Sequence, residues 1–378
     1  MQRRHTAGVA ASLALLAGAA AADEGRVPLW EPTVIQKPGS YVVTRDIQAT
    51  NEIVLSIEVD GVTVDLNGFT LSSTSSQLPA VRVTGTAGMQ KGVTLRNGRV
   101  TGGLHGIHGT AGNVPRRIEV RGVHVDSALD TGILIEDPSD VVLCDGSVRN
   151  VQHGIQLGPT GTTALSCVGA VDSAVVRGYL SAAWRDDLLC ACTRCWLADV
   201  RVVLPPIGPD PDPTGRIRLV DAPGSVIRDI ELVMGDPSPQ PNIVLERSAG
   251  VLLERNVLSG TGAAAPGAAG ILADATSKHL RIVGNVLSGM SGDAIQVHAA
   301  GAQIYDNQVS GNAGHGIALF GQNALVDANK VFGNTGAGLY FGPNAALHAY
   351  RANMLRGNTG GAVGGNPQGG DDAGGNIP

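Results

Sequence analysis

Aromatic side chains are scarce in this chain: phenylalanine, tryptophan and tyrosine make up 3% of 378 residues. Lysine occurs only four times, at Lys37, Lys91, Lys278 and Lys330, and no basic run follows the N-terminus. With a formal net charge of -6, that argues against a nucleic-acid partner. No segment reaches about 18 unbroken apolar residues, so no membrane-spanning helix is expected. A 3.6-residue apolar period is missing as well, which excludes crossover helices and the α/β folds they build. With few rings available, a core has to come from Val, Ile, Leu and Ala within the 43% apolar share.

What the chain does have is a repeat. A turn position of asparagine type returns every 22 to 30 residues, at Asn67, Asn97, Gly122, Gly146, Gly169, Asp199, Asp229, Asn256, Asn285, Asn307, Asn329 and Asn353. Each lies between two short aliphatic runs, as in RIVGNVLSG, QIYDNQVSG and LVDANKVFG. About ten residues later comes a third run opening with a small residue: HGIHGT, TGILIED, HGIQLG, DAIQVH, HGIALFG, AGLYFG. Three strands per repeat with Gly, Asn and Asp at the corners describe one coil of a parallel β-solenoid. The expectation is an all-β, three-sheet solenoid of about 12 coils, in which each coil buries its apolar face only against its neighbours.

Segmentation follows the repeat. Arg3, Arg4 and His5, a largely apolar stretch from Ala7 to Ala17, and Ala20 to Ala22 before Asp23 form an export-signal pattern. Residues 1–22 are therefore read as a signal peptide of a secreted or periplasmic protein, whose loss of two arginines moves the charge to about -8. Residues 23–58, with KPGSYVVTRDI, are read as an N-terminal cap that blunts the open strand edges. Coils occupy 59–363, and the Gly-rich 364–378 is expected to fray. Three enlarged loops, 205–215, 235–241 and 260–270, fall at one place in consecutive coils and would wall one side of the rod.

Five cysteines leave one unpaired. Cys144 and Cys167 should stack on adjacent coils about 4.8 Å apart, as a disulfide or as a thiol ladder. Cys190, Cys192 and Cys195 lack a fourth ligand at zinc spacing, which favours a local disulfide with a spare thiol. No metal site is assigned.

The asparagine turns, the G-I-x-L strand and the opening VTVDLNGFTL make the chain resemble the right-handed parallel β-helix proteins of the pectate-lyase-like superfamily. The resemblance covers nearly all of the chain after the signal. It implies that the asparagine turn separates the second and third strands, so that HGIALFG and its equivalents are the first strand of each coil. In that superfamily the substrate groove follows the first sheet beside a wall of loops. Its members include polysaccharide lyases, hydrolases and epimerases, and also adhesins.

The side chains that would line such a groove follow from strand alternation. With Ile243, Ile271, Ile295 and Ile317 as inward anchors, residues one and three positions later face out. The +3 column reads Glu246, Asp274, His298, Phe320; Gln296 lies at +1, as does Arg218 a coil before Glu246. Carboxylates of Glu246 and Asp274 on adjacent coils would raise one another's proton affinity. They would serve a retaining glycosidase or a calcium clamp for an eliminative lyase. His298 would act as acid or base, Phe320 or Tyr340 would stack on a sugar, and Arg218 would neutralise an acidic one. A second column, two residues before the anchors, holds His105, Thr131, His153, Asp293 and His315.

The strand around His315 is similar to the Gly-His-Gly strand of polygalacturonase-type hydrolases, but their Asn-Thr-Asp and Arg-Ile-Lys motifs are absent. His-Gly-Ile and Asp-Gly-Ile openings are also ordinary corner chemistry, in which a polar side chain caps turn amides. Trp184 and Trp196, near the loop wall, offer a sugar platform or fill an irregular coil, and Trp30 should pack in the cap. Two functions remain: a secreted protein that binds an extended acidic polysaccharide and cleaves it by lyase or hydrolase chemistry, or a non-catalytic adhesin or rod.

Overall fold

All described elements are short strands or turns, and no helix occurs among the described residues. The computed structural model describes residues 25–378 except 85–91, 111–115, 137, 159–173, 184–187, 192–194, 204–215, 234–240, 262–266, 367 and 369. Strands pair in parallel with those one coil away, as Ile271↔Ile295 and Ile295↔Ile317 show. One sheet stacks fourteen strands, among them Thr33–Ile35, His105–Gly109, Ile243–Glu246, Ile295–Val297 and Val363–Gly365. It collects the G-I-x-L runs and is called the first sheet below.

The other two strand columns join in one sheet of 23 strands. They fuse because single strands run through the corner between residues 93 and 203: Val93–Gly102, Arg116–Asp126, Pro138–Val151, Ala174–Ala183 and Trp196–Val203. Later coils break there into pairs such as Gln303–Tyr305 and Gln308–Ser310. This is the parallel β-solenoid that the repeat predicts, with two of its three sheets merged over that stretch. The interior is built as expected from aliphatic columns. Ile217, Ile243, Ile271, Ile295, Ile317 and Leu339 stack in register, each at most 1% exposed.

The turn markers separate into two columns one residue apart. Asn256, Asn285, Asn307, Asn329 and Asn353 point inward and are buried. From Asn285 on, each accepts from the backbone N–H and side-chain amide of the member before it, as Asn307 Oδ1 does from Asn285 (both 2.9 Å). Asn97, Asp199 and Asp229 instead hold left-handed φ angles of 58, 55 and 52° at the corner itself. Pairing of Arg228 with Glu254 and of Glu231 with Val257 sets Asp229 beside Arg255, and Ile230 beside Asn256. The ladder therefore starts at Asn256; apolar or glycine residues fill its column in earlier coils.

Two boundaries differ from expectation. Residues 27–57, expected to form a cap, supply strands to both sheets, with Val27 paired to Tyr41 and Thr33 to Leu55. Trp30 is 48% exposed there instead of packed. At the other end 364–378 does not fray. Gly370–Asp372 pairs with His348–Tyr350, and Asn376 accepts from the N–H of Asn353 (2.9 Å), extending the ladder. Backbone pairing and one asparagine suffice to order a glycine-rich segment, because neither needs apolar side chains.

Cys190 and Cys195 form the expected local disulfide. The signal segment, Gly169, Cys167, Cys192, Trp184, the loop 205–215 and most of the other two enlarged loops lie outside the described residues. No helix among the described residues is long and apolar enough to cross a membrane.

Candidate functional site

The outer face of the first sheet carries the residues the sequence singles out. Register places Arg218, Val244, Leu272, Gln296, Ala318 and Tyr340 in one column, immediately after the buried anchors. Alternation turns this column outward, and Glu246, Asp274, His298 and Phe320 follow on the same side. Adjacent coils thus bring Asp274 beside His298, as expected.

The two carboxylates are engaged differently from the proposed pair. Glu246 is gripped through both oxygens by Arg218, whose Nε and Nη2 each donate at 3.0 Å. This two-pronged geometry is the strongest form of an ion pair. Asp274 folds over its own turn. It accepts from the N–H and hydroxyl of Thr276 (3.1 and 2.8 Å), from those of Ser277 (2.8 and 2.7 Å) and from the N–H of Arg247 (3.1 Å). Burial alone would raise the Asp274 pKa. The bonds from Ser277, Thr276 and Arg247 outweigh it and hold the carboxyl below its ordinary value. The sequence reading expected mutual repulsion to raise it; the donors around the turn reverse the sign. Nor do these residues fit a calcium clamp, because the ion would have to displace Arg218 from Glu246 and the turn donors from Asp274.

Four rings form the second part of the site. His298 and Phe320 stack at 4.6 Å between centroids and 9° between planes, and His315 and Tyr340 at 4.1 Å and 13°. Phe320 and Tyr340 join the two pairs at 6.0 Å. The patch spans three consecutive coils and is half-buried throughout. Gln296 Nε2 donates to His298 Nε2 (2.8 Å), so the imidazole proton lies on Nδ1. Burial lowers the His298 pKa, and nearby Asp274 only partly offsets this. The ring is neutral at pH 7, and its one acceptor nitrogen is held by Gln296, so it can take a proton only once that bond is exchanged.

Asp293 and His315 are stacked neighbours, but both cap backbone. Asp293 Oδ1 accepts the His315 N–H (2.6 Å), and His315 Nδ1 accepts the Ala337 N–H (2.9 Å). That is the corner chemistry weighed from the sequence, and it explains the likeness to the Gly-His-Gly strand without hydrolase chemistry. Trp196 lies in the larger sheet under the Arg228 guanidinium, 4.5 Å from its centroid, away from the first sheet.

Sequence reasoning missed the Arg218–Glu246 pairing and the continuity of the rings. It also missed a second buried ladder of Asn312, Asn334 and Asn358, each linked through side-chain amides at 2.7 and 2.8 Å. The signal for that ladder was present: Gly-Asn recurs five residues after the first ladder's marker in GNAG, GNTG and GNTG.

A family model for the right-handed β-helix region matches residues 241–366, about a third of the chain. No curated protein sequence matches. Among solved structures, the Azotobacter vinelandii mannuronan C-5 epimerase AlgE6 A-module is similar at a TM-score of 0.51 and 12% identity, covering 90% of this chain and 91% of that one. The periplasmic alginate epimerase AlgG is similar at 0.41 and 11%, covering 90% and 78%. A bacteriophage CBA120 tailspike protein is similar at 0.37 and 12%, covering 96% and 58%. At such identities only the fold is shared. Coil geometry, parallel register and the matched region agree: the chain is a right-handed parallel β-helix protein.

Proposed function

We propose that the protein binds an extended polysaccharide along the outer face of its first sheet, with the four-ring patch as the main platform. The observation that carries this reading is the contiguous patch of two stacked pairs, His298–Phe320 and His315–Tyr340, joined by a tilted Phe320–Tyr340 contact across three successive coils. The ring edges that this stacking leaves at the surface offer an apolar strip to the C–H groups of a sugar, and Gln296 and His298 beside them supply polar contacts to hydroxyls. Arg218 and Glu246, coils earlier on the same sheet, extend the polar track. The epimerase fold named above belongs to a protein that acts on a polysaccharide, which supports the ligand class.

A second reading, that the bound chain is also cleaved or modified, is favoured by one observation: the neutral imidazole of His298 beside the ionised Asp274. In eliminative chemistry on a uronate, His298 would take the proton from the carbon beside the carboxylate as the glycosidic C–O bond breaks and the leaving oxygen takes a proton from solvent; Arg218, three coils away and paired with Glu246, would meet a different sugar of the chain. A hydrolase is less favoured, because Glu246 and Asp274 are engaged and Asp293 and His315 cap backbone.

Replacing Phe320 and Tyr340 together by alanine is expected to weaken glycan binding by about 10-fold to 100-fold with the fold intact. Isothermal titration over a panel of acidic and neutral polysaccharides measures this. Unsaturated-uronide absorbance and a reducing-end assay read cleavage on the same samples. Retention of full affinity by the double variant would remove the rings as the platform, and no ligand in the panel would return the protein to the class of non-catalytic rods.

A further inference from the structure

We propose that an early stretch of the first sheet carries a second polysaccharide-contacting site, in which His105, His108, His153, Asp130 and Glu136 capture acidic chains below neutrality and release them near it. The inference rests on the reading that a polysaccharide lies along this sheet, and adds an acidic ligand class and its control by pH.

The residues come from three consecutive strands, His105–Gly109, Thr131–Ile135 and His153–Leu157, with His105, Thr131 and His153 aligned. Asp130 lies between two imidazoles: Oδ2 is 3.6 Å from His105 Nδ1 and Oδ1 is 3.9 Å from His153 Nε2. His108 Nε2 is 3.5 Å from Glu136 Oε2, and the His105 and His108 rings meet at 4.9 Å. A chain of titratable groups, Glu136–His108–His105–Asp130–His153, therefore crosses three coils. It is recessed: the three imidazoles and Glu136 are 12 to 16% exposed, and Asp130 is 37%.

Among the described residues, the other charges facing the group come from the preceding coils. Arg82 pairs in register with His108, and its guanidinium is 3.6 Å from Glu58. With neutral imidazoles the patch carries Asp130, Glu136 and Glu58 against Arg82, a net charge of about -2 that repels a polyanion. Protonation of three histidines reverses it to about +1. Burial lowers the His105 pKa, and so does His108; Asp130 and Glu136 act the other way, and His153 lowers it again, leaving it below its ordinary value. Reversal needs the imidazoles charged, and burial makes His105 charge at lower pH than an ordinary imidazole. Recessed charges are screened by salt less than exposed ones, so the reversal persists at physiological ionic strength.

The test measures binding of polymannuronate, a polyuronate, and of a neutral β-glucan at pH 5.5 and 7.5 and constant ionic strength. It compares the wild type, the triple variant His105→Asn, His108→Gln, His153→Asn, and the double variant Asp130→Asn, Glu136→Gln. Wild type is expected to bind polymannuronate about tenfold tighter at pH 5.5, with no pH effect on the glucan. The triple variant should lose that ratio. The double variant, which keeps the histidines, should gain affinity at pH 7.5, and it stands as an independent arm if the triple variant does not fold. A pH ratio that survives in the triple variant, or an unchanged double variant, overturns the site while leaving the ring platform intact. Glucan binding without polymannuronate binding at pH 5.5 also overturns it and keeps the broader reading. Failure of both glycans at both pH values sinks both.

Discussion

Asn307→Leu is expected to destabilise its coil by about 4 kcal/mol, with amide exchange at Asn285 accelerated by about 10³. Asn307 is 1% exposed, and its side chain satisfies partners on both sides. Its Oδ1 accepts the Asn285 N–H and side-chain amide, and its Nδ2 donates to the carbonyls of Ile282 (2.9 Å) and Tyr305 (3.1 Å) and to Asn329 Oδ1 (2.9 Å). Leucine has the same branched four-atom side chain, so no cavity opens; the main loss is that of several buried polar groups left without partners, each worth about 1–3 kcal/mol. Asn97→Gly is the control. Asn97 belongs to the left-handed corner column (φ 58°), where glycine is at ease, so the change should stay within about 0.5 kcal/mol. Equal effects of the two replacements would mean that the ladder does not distinguish the columns. Hydrogen exchange is the measurement of choice, because a repeat array opens locally and a single midpoint would blur the difference.

Gly316→Val is expected to be nearly as damaging, at about 3 kcal/mol, and to disturb the site with it. A Cβ at Gly316 would lie 2.2 Å from Val331 Cγ1 and 2.7 Å from the Gly338 carbonyl oxygen. The first obstacle is a packed core methyl and the second is the backbone of the next coil, whose movement would break the Ile317↔Leu339 register. Gly132 is confined in the same way, 2.2 Å from Val148 Cγ1 and 2.8 Å from the Gly154 oxygen. The glycine of the His-Gly-Ile opening is thus fixed by close stacking of coils. His315 precedes it directly, so the His315–Tyr340 stack should loosen, which the quenching of Tyr340 fluorescence would report. An unchanged melting profile would remove this explanation of the motif.

Much of this arrangement was legible in the residues. Isoleucine recurring every 22 to 28 positions marks the anchors, because only an inward column in register tolerates so uniform a residue. From Ile243, Ile271, Ile295 and Ile317 the outward columns followed, and with them the adjacency of Asp274 to His298. The ladder's start was not legible. Asp229 and Asn256 share spacing and polarity, yet one takes the left-handed corner and the other points inward, because Asp229 aligns with Arg255 and the inward place beside Asn256 is filled by Ile230. The engagement of Glu246 was hidden for another reason. Alternation says which face a side chain occupies, while the lean of a long arginine or glutamate along that face depends on partners a coil away. Asp274 was misread through its neighbours: Thr276 and Ser277 supply donors at the spacing of an Asx turn, and weighing them would have predicted a cap.

The uniform late coils also limit how this rod can change length. Asn285, Asn307 and Asn329 are each 22 residues apart, and within the ladder each bonds the members on either side. Excision or duplication of a 22-residue block would rejoin like with like, leaving every surviving contact of the same kind. Gain or loss of a single residue within a strand would swap inside for outside along the rest of it. Such a molecule can be lengthened or shortened only in whole turns, and each added turn would extend the binding track by about 4.8 Å.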